Sequence, residues 1–153
     1  MNFKLNRGIV RFRPEETKED EYMKIAMIIV RTLMGLLFLA ASIVVLFNLV
    51  PKPELTGTVK TFNEGLDSVG YMVPMIKIVE LVCGLAFLTG YFVPLATVLI
   101  APIIVNIFMF HAFVDTSGLP VAVFLVLANI FVAYYYRNSY RGLLAPTYSP
   151  TAG

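Results

Sequence analysis

Two charged residues, Lys77 and Glu80, lie inside a long apolar stretch and are the strongest candidates for chemistry in this sequence. Charged groups at bilayer depth are costly, so each is a candidate functional group. Their i, i+3 spacing places them on one face of a helix, where the side chains can meet. Two interpretations stay open. The pair either neutralises itself and fixes helix packing, with Lys77 also able to reach toward the headgroups, or lines a polar cavity that binds a ligand or passes a proton.

Other polar residues fall at a similar depth in the neighbouring apolar stretches. With a helical rise of about 1.5 Å per residue, Glu80 lies about 13 Å, Asn106 about 10 Å and Asn129 about 15 Å below the outer ends of their helices. Ser42 lies about 12 Å deep on the first helix. The sequence therefore predicts one polar layer in the outer half of a bundle. The candidate ligand-binding residues are Arg31, Lys77, Glu80, Asn106 and Asn129.

Arg31 lies well away from this layer, about a turn and a half from the start of the first apolar stretch. Its guanidinium could snorkel to the headgroups or hydrogen-bond carbonyls near a helix end. In a functional role it would hold an anionic headgroup or a quinone oxygen. The sequence leaves both roles open.

His111 is the only histidine, and Asp115 follows one turn later at the outer rim. An i, i+4 pair could orient the imidazole or supply two metal ligands. Catalytic metal sites need at least three protein ligands, and the third donor, Glu80, lies too deep, so we expect no metal and a rim hydrogen bond. A single histidine excludes bis-histidine haem, and the single Cys83 excludes an internal disulfide. No catalytic motif is recognisable, and we expect no nucleic-acid binding.

The composition identifies the solvent that surrounds these residues. Hydrophobic residues make up 58% of the 153 residues and charged residues 14%, against about 45–50% and about 25% in soluble domains. Soluble helices usually show a polar face, which these stretches lack. The sequence predicts an all-α, polytopic membrane four-helix bundle in contact with the lipid bilayer. Its predicted spans are residues 25–50, 71–88, 93–113 and 119–136.

The first connection between spans, residues 51–70, has a pattern of its own. Val59, Phe62, Leu66 and Val69 recur at spacings of three and four, which indicates one apolar stripe on a short helix. We predict an amphipathic helix that lies along the membrane surface or caps the bundle. A loosely ordered loop with scattered apolar residues is the alternative.

The distribution of basic residues predicts the orientation. Six of the twelve Lys and Arg lie in the first 24 residues, and Arg137 and Arg141 follow the last span on the same side, whereas the other side has only Lys52 and Lys60. The basic side should be cytoplasmic. We expect residues 1–24 and 137–153 to be cytoplasmic tails, the first one flexible, in a bacterial inner membrane. The change of composition at Met23 raises the further hypothesis that translation starts there.

Three stretches of the spans resemble a known family. They are VRTLMGLLFLAAS in the first span, KIVELVCGLAFLTGYFVPLATVLIAPIIVNIFMFH across the second and third, and PVAVFLVLANIFVAYYYR in the fourth. Over residues 24–144 the chain resembles the DoxX family of small bacterial membrane proteins. The resemblance implies a link to quinone-coupled thiosulfate oxidation or thiol stress, and it makes Arg31 and Glu80 family-like positions. The lysine that many members have near the outer end of the first span is missing here.

Three functions are compatible with this sequence. The first is an accessory subunit, not a catalyst on its own, beside a quinone- or thiol-linked redox partner, for which quinone is the expected cofactor. The second is a small binder or carrier of a lipid-like or anionic ligand. The third is a membrane assembly factor without a small ligand. The sequence leaves open whether the chain forms a homo-oligomer.

Overall fold

The computed structural model describes residues 18–51 and 54–141, which fold into five α-helices and two short 3-10 turns, without a strand in these ranges. The 3-10 turns are Thr116–Gly118 and Arg137–Tyr140. The helices are α1 (Lys18–Leu46), α2 (Gly57–Ser68), α3 (Met72–Thr89), α4 (Val93–Phe113) and α5 (Leu119–Tyr135). The predicted all-α class and the short helix in the first connection are confirmed.

Four of the helices, α1, α3, α4 and α5, are long and apolar enough to cross a membrane. Only 22–28% of the most apolar window of each helix is buried inside the protein. Since soluble proteins rarely expose such large continuous apolar patches, lipid must cover the remaining surface. The predicted multi-pass membrane bundle is confirmed.

The first helix differs from the predicted span at both ends. It begins at Lys18, inside the stretch predicted to be a tail, because Glu19, Asp20 and Glu21 favour the positive end of the helix dipole. It ends at Leu46, four residues before the predicted end, where Asn48 takes a left-handed conformation with φ 49°. The remaining predicted tail residues, 1–17 and 142–153, lie outside the described residues.

The four long helices form a ring in the order α1, α3, α4, α5. Two contacts show that α1 and α3 run antiparallel. Ser42 of α1 contacts Glu80 of α3, and Gly35, which is earlier on α1, contacts Gly84, which is later on α3. We call the end that carries the α3–α4 turn the turn end, and the opposite end, beside α2, the α2 end. The start of α1 and the end of α5 lie at the turn end, since Tyr136 contacts Met27 there.

Close packing is concentrated toward the turn end. A Cβ at Gly35 would lie 3.0 Å from the Gly84 carbonyl oxygen, and a Cβ at Gly84 would lie 3.2 Å from the Gly35 carbonyl oxygen. Small residues let helix backbones approach this closely inside a membrane. Three of the four buried residues of α3 lie in its second half, and four of the five buried residues of α4 lie in its first half. The largest fully buried apolar side chains are Phe87, Met34, Ile100, Val93 and Val132.

Candidate functional site

The α2 end contains a cavity of about 970 Å³. Its walls come from α1, α3 and α4, and α2 covers it. Most of the lining is apolar, and α5, which is fully described, contributes no lining residue. The polar lining residues are Asn48, Asn63, Asp67, Lys77, Glu80, Asn106, His111 and Asp115.

Lys77 and Glu80 form the predicted ion pair on the cavity wall. The Lys77 Nζ donates to Glu80 Oε2 at 2.7 Å. The Glu80 side chain is 3% exposed and that of Lys77 is 20% exposed, so Lys77 is the more accessible partner. The Ser42 hydroxyl lies 3.5 Å from the same carboxylate oxygen, at the outer limit of a hydrogen bond.

The two asparagines of the predicted polar layer, Asn106 and Asn129, do not lie in the same site. Asn106 is exposed and lines the same cavity as Lys77 and Glu80. Asn129 on α5 does not line the cavity, and its buried Oδ1 has no hydrogen-bond partner among the described residues. The ring order agrees with this result. In the ring α5 lies opposite α3, which carries Lys77 and Glu80, and the cavity lies on the α3 side. Depth alone, which the sequence gives, does not fix the direction in which a side chain points.

The mouth of the cavity carries His111 and Asp115. The His111 Nδ1 lies 2.8 Å from the Asp115 backbone carbonyl oxygen. Because a carbonyl only accepts, Nδ1 carries the hydrogen and Nε2 is the acceptor of the neutral ring. Gly118 makes room for this contact, since a Cβ there would overlap the imidazole. The rim hydrogen bond of His111 was predicted, but its acceptor is the backbone of Asp115 and not the carboxylate.

The Asp115 carboxylate instead organises the turn before α5. It accepts from the Ser117 hydroxyl at 2.9 Å and from the Ser117 backbone N–H at 3.1 Å. These two hydrogen bonds, with a smaller contribution from His111, lower the pKa of Asp115. The carboxylate is therefore the favoured form at the mouth of the cavity.

The amphipathic helix α2 forms the cover. Three members of its apolar stripe, Val59, Phe62 and Leu66, line the cavity. The Phe62 ring packs on that of Phe110 of α4, with centroids 4.8 Å apart. Sequence reasoning found the stripe but missed Asn63, whose amide donates to the Val59 carbonyl. Its i, i+4 position relative to Val59 is the signal that could have placed it on the cavity side.

Two further candidates lie outside the cavity. Arg31 is absent from its lining and packs at the turn end against Gly90. Cys83 is 1% exposed within the apolar core, where a thiol is closed to a soluble reaction partner. Across residues 18–51 and 54–141, no group of three His, Cys, Asp or Glu could hold a metal ion.

Comparison with known proteins supplies one match. A family model described as DoxX matches residues 26–112, more than half of the chain. The matched segment includes Lys77, Glu80 and Asn106 of the cavity, and it ends before α5 with Asn129. No curated protein and no solved structure matches the chain.

Proposed function

Because the chain belongs to the DoxX family, we propose that it is an accessory subunit of a quinone-linked redox system, and that its cavity holds the quinone. The observation that carries this proposal is the neutralised Lys77–Glu80 ion pair, with its lysine side chain 20% exposed, in the wall of a large and mostly apolar cavity. In this proposal the chain supplies the quinone-binding site, and a partner protein supplies the group that exchanges electrons with the quinone.

The charge of the pair favours a neutral ligand. Lys77 and Glu80 together carry no net charge, so an anionic headgroup would have to compete with a carboxylate 2.7 Å from the ammonium group. A neutral carbonyl oxygen, in contrast, needs only a hydrogen-bond donor. An ammonium group has three donors, and Glu80 occupies one of them. The exposed Asn106 amide adds a second donor group to the same wall.

The size and polarity of the cavity agree with this ligand class. Ligand pockets have volumes of about 300–1,000 Å³ and are mostly apolar with a few polar groups that fix orientation. The cavity, at about 970 Å³, falls at the upper end of this range. A planar quinone ring with two carbonyl oxygens and an apolar tail would match the polar wall and the apolar remainder.

The position of Cys83 favours a quinone link over a thiol link. Cys83 is the only cysteine of the chain and lies in the packed core. Thiol exchange requires that an attacking thiolate reach the sulfur atom. Any thiol chemistry in the complex would therefore have to come from a partner protein.

The experiment titrates the protein in nanodiscs with a quinone that has a decyl tail and measures bound quinone by native mass spectrometry. We expect saturation at one molecule per chain. Asn106→Leu should weaken binding about tenfold, the equivalent of one good hydrogen bond. Asn129→Leu, the same change on a helix outside the cavity, should stay within about twofold of wild type. Equal binding by both variants would contradict the proposed site.

A carrier of a lipid-like ligand is the second candidate. The observation that favours it is the apolar stripe of α2, which gives the mouth of the cavity an apolar wall at the membrane surface. Palmitate is the discriminating probe in the same titration. Saturable palmitate binding that excludes the quinone would replace the first candidate, and binding of neither would favour an assembly factor.

We also propose that the protein lies in a bacterial inner membrane with both termini in the cytoplasm. The excess of Lys and Arg before the first span and after the last supports this orientation. A test is to label Thr56→Cys and Ser139→Cys in intact cells with a membrane-impermeant maleimide. Cys83 gives a low background because it is buried. Labelling of position 56 alone is expected, and labelling of position 139 alone would invert the orientation.

A further inference from the structure

The turn end holds a cation outside the cavity. The Arg31 guanidinium occupies the space beside Gly90, since a Cβ at that position would be 2.6 Å from Nη1 and 3.2 Å from both Cζ and Nη2. Gly90 itself has φ 82°, a left-handed conformation that favours glycine. The contact therefore depends on glycine for both its backbone conformation and its space.

The nearby carbonyls of α3 leave this cation incompletely satisfied. The Arg31 Nε is buried without a hydrogen-bond partner among the described residues. Two carbonyls of the last turn of α3 already accept other bonds: that of Leu85 from the Thr89 hydroxyl at 2.8 Å, and that of Ala86 from the Gly90 N–H at 2.9 Å. The negative end of the α3 dipole favours a cation here, but it supplies no partner for Nε. A buried donor without a partner is uncommon in a folded protein, which makes this guanidinium a candidate binding group.

The residues that follow Gly90 are of the kind found at headgroup level. Tyr91 and Phe92 directly follow Gly90 and are 74% and 78% exposed. Exposed aromatic residues at the ends of spans are typical of the membrane–water interface. The same depth in the bilayer contains the phosphate groups of phospholipids.

We propose that Arg31, seated on Gly90, binds the phosphate of a phospholipid in the leaflet at the turn end. A guanidinium presents paired N–H donors that match phosphate oxygens, and its charge strengthens each hydrogen bond. Because Gly90 has no side chain, the guanidinium can occupy this position before a lipid binds. This site is separate from the cavity and does not depend on the proposed quinone.

The test measures lipid retention by native mass spectrometry after release from detergent micelles. Phosphatidylglycerol is compared with a galactolipid of equal chain length, which has no phosphate. We expect wild type to retain one phosphatidylglycerol about tenfold more strongly than the galactolipid. Arg31→Gln should abolish this preference, and Arg137→Gln, which removes an exposed arginine stacked on Tyr134 at the same end, should preserve it. Equal preference in wild type and Arg31→Gln would overturn the proposal.

A second pair of variants keeps Arg31 and changes a glycine instead, either Gly90, which Arg31 packs against, or a control glycine. Gly90→Ala places a Cβ 2.6 Å from Nη1, whereas Gly70 has a similar positive φ of 75° and a Cβ there would have nothing within 4 Å. We expect Gly90→Ala to lose the preference and Gly70→Ala to retain it. Displacement of the lipid by inorganic phosphate would show a soluble-anion site and overturn the lipid assignment. Asn106→Leu should leave this preference intact, so failure here is distinguishable from failure of the quinone proposal.

Discussion

The two ends of the bundle use the same pair of helices in opposite ways. Toward the turn end, the backbones of α1 and α3 pack in close contact at Gly35 and Gly84. At the α2 end, one turn earlier on α3, Glu80 is buried with Lys77 and Ser42 beside a cavity of about 970 Å³. The difference shows that one end of this small bundle is closely packed while the other encloses a cavity.

Polar groups follow the same division. Within the described residues, the cavity lining at the α2 end carries a neutral ion pair, three amides, His111 and two further acidic residues, Asp67 and Asp115. This lining suits a neutral ligand with oxygen acceptors better than an anion. The turn end carries Arg31, whose Nε has no described partner, and it suits an anion. The two proposed ligands therefore differ in charge for a reason that is visible in the side chains.

The largest expected effect comes from breaking the ion pair at the α2 end. Lys77→Met leaves the carboxylate of Glu80 buried without its partner, which should cost about 3–5 kcal/mol. The measurement is thermal unfolding in detergent, followed by circular dichroism. Lys60→Met is the control, because its salt bridge to Glu64 is long, at 3.8 Å, and exposed, so its loss should cost less than about 1 kcal/mol. Equal stability of the two variants would refute a structural contribution of the pair.

A smaller loss should follow from breaking the close contact nearer the turn end. Gly84→Leu forces a side chain toward the backbone of Gly35 and Leu39, both 3.2 Å from the new Cβ. Overpacking of this kind typically costs about 1–3 kcal/mol. Gly65→Ala in α2, where nothing lies within 4 Å, should be neutral or stabilising by up to about 1 kcal/mol. A Gly84→Leu variant as stable as wild type would show that the helices separate without cost.

A local change is expected at the mouth of the cavity. Gly118→Ala displaces the His111 ring and breaks its 2.8 Å hydrogen bond to the Asp115 carbonyl, at a cost of about 1 kcal/mol. Because His111 is the only histidine, imidazole 15N NMR shifts report its tautomer without ambiguity. The neutral imidazole of wild type should be the Nδ1–H tautomer, and Gly118→Ala should lose this preference. Thr116→Ala, an exposed change in the same turn, should leave the spectrum unaltered.

The smallest effect is a pH dependence at the same turn. Hydrogen bonds from Ser117 lower the pKa of Asp115, so the carboxylate stabilises the folded state above the unfolded pKa of about 3.9. This contribution is lost as the pH falls through the lower folded pKa. Ser117→Ala should raise the Asp115 pKa in a carboxyl 13C NMR titration, and Ser117→Thr, which retains the hydroxyl, should not. An unchanged pKa in Ser117→Ala would exclude the hydroxyl as its cause.

Much of the fold was predictable from local pattern. Apolar stretches of sufficient length predicted the four spans, and the spacing of Val59, Phe62 and Leu66 predicted α2. The i, i+3 spacing of Lys77 and Glu80 predicted their pairing. Each of these features depends on helical periodicity along one segment, which the sequence contains in full. The early start of α1 at Lys18 was missed because charged residues were assigned to a tail, although three acids in the first turn favour a helix.

The membership of the site was predictable only in part. Lys77, Glu80 and Asn106 share one cavity, but Asn129 and Arg31 do not line it. Asn129 lies at a similar depth on a helix that does not face the cavity, and Arg31 lies at the opposite end. Depth follows from counting residues along a helix, whereas rotation and neighbour order depend on how four helices pack.

The sequence by itself determined that this chain is a helical membrane protein with a charged pair inside one span, because hydrophobic length and helical spacing are local properties. The tertiary structure decided that the bundle is closed around Gly35 and Gly84 and open beneath α2. It also seated Arg31 on Gly90, 59 positions further along the chain. Such contacts join distant segments, and their geometry depends on the packing of small residues at a helix crossing, which no single segment contains.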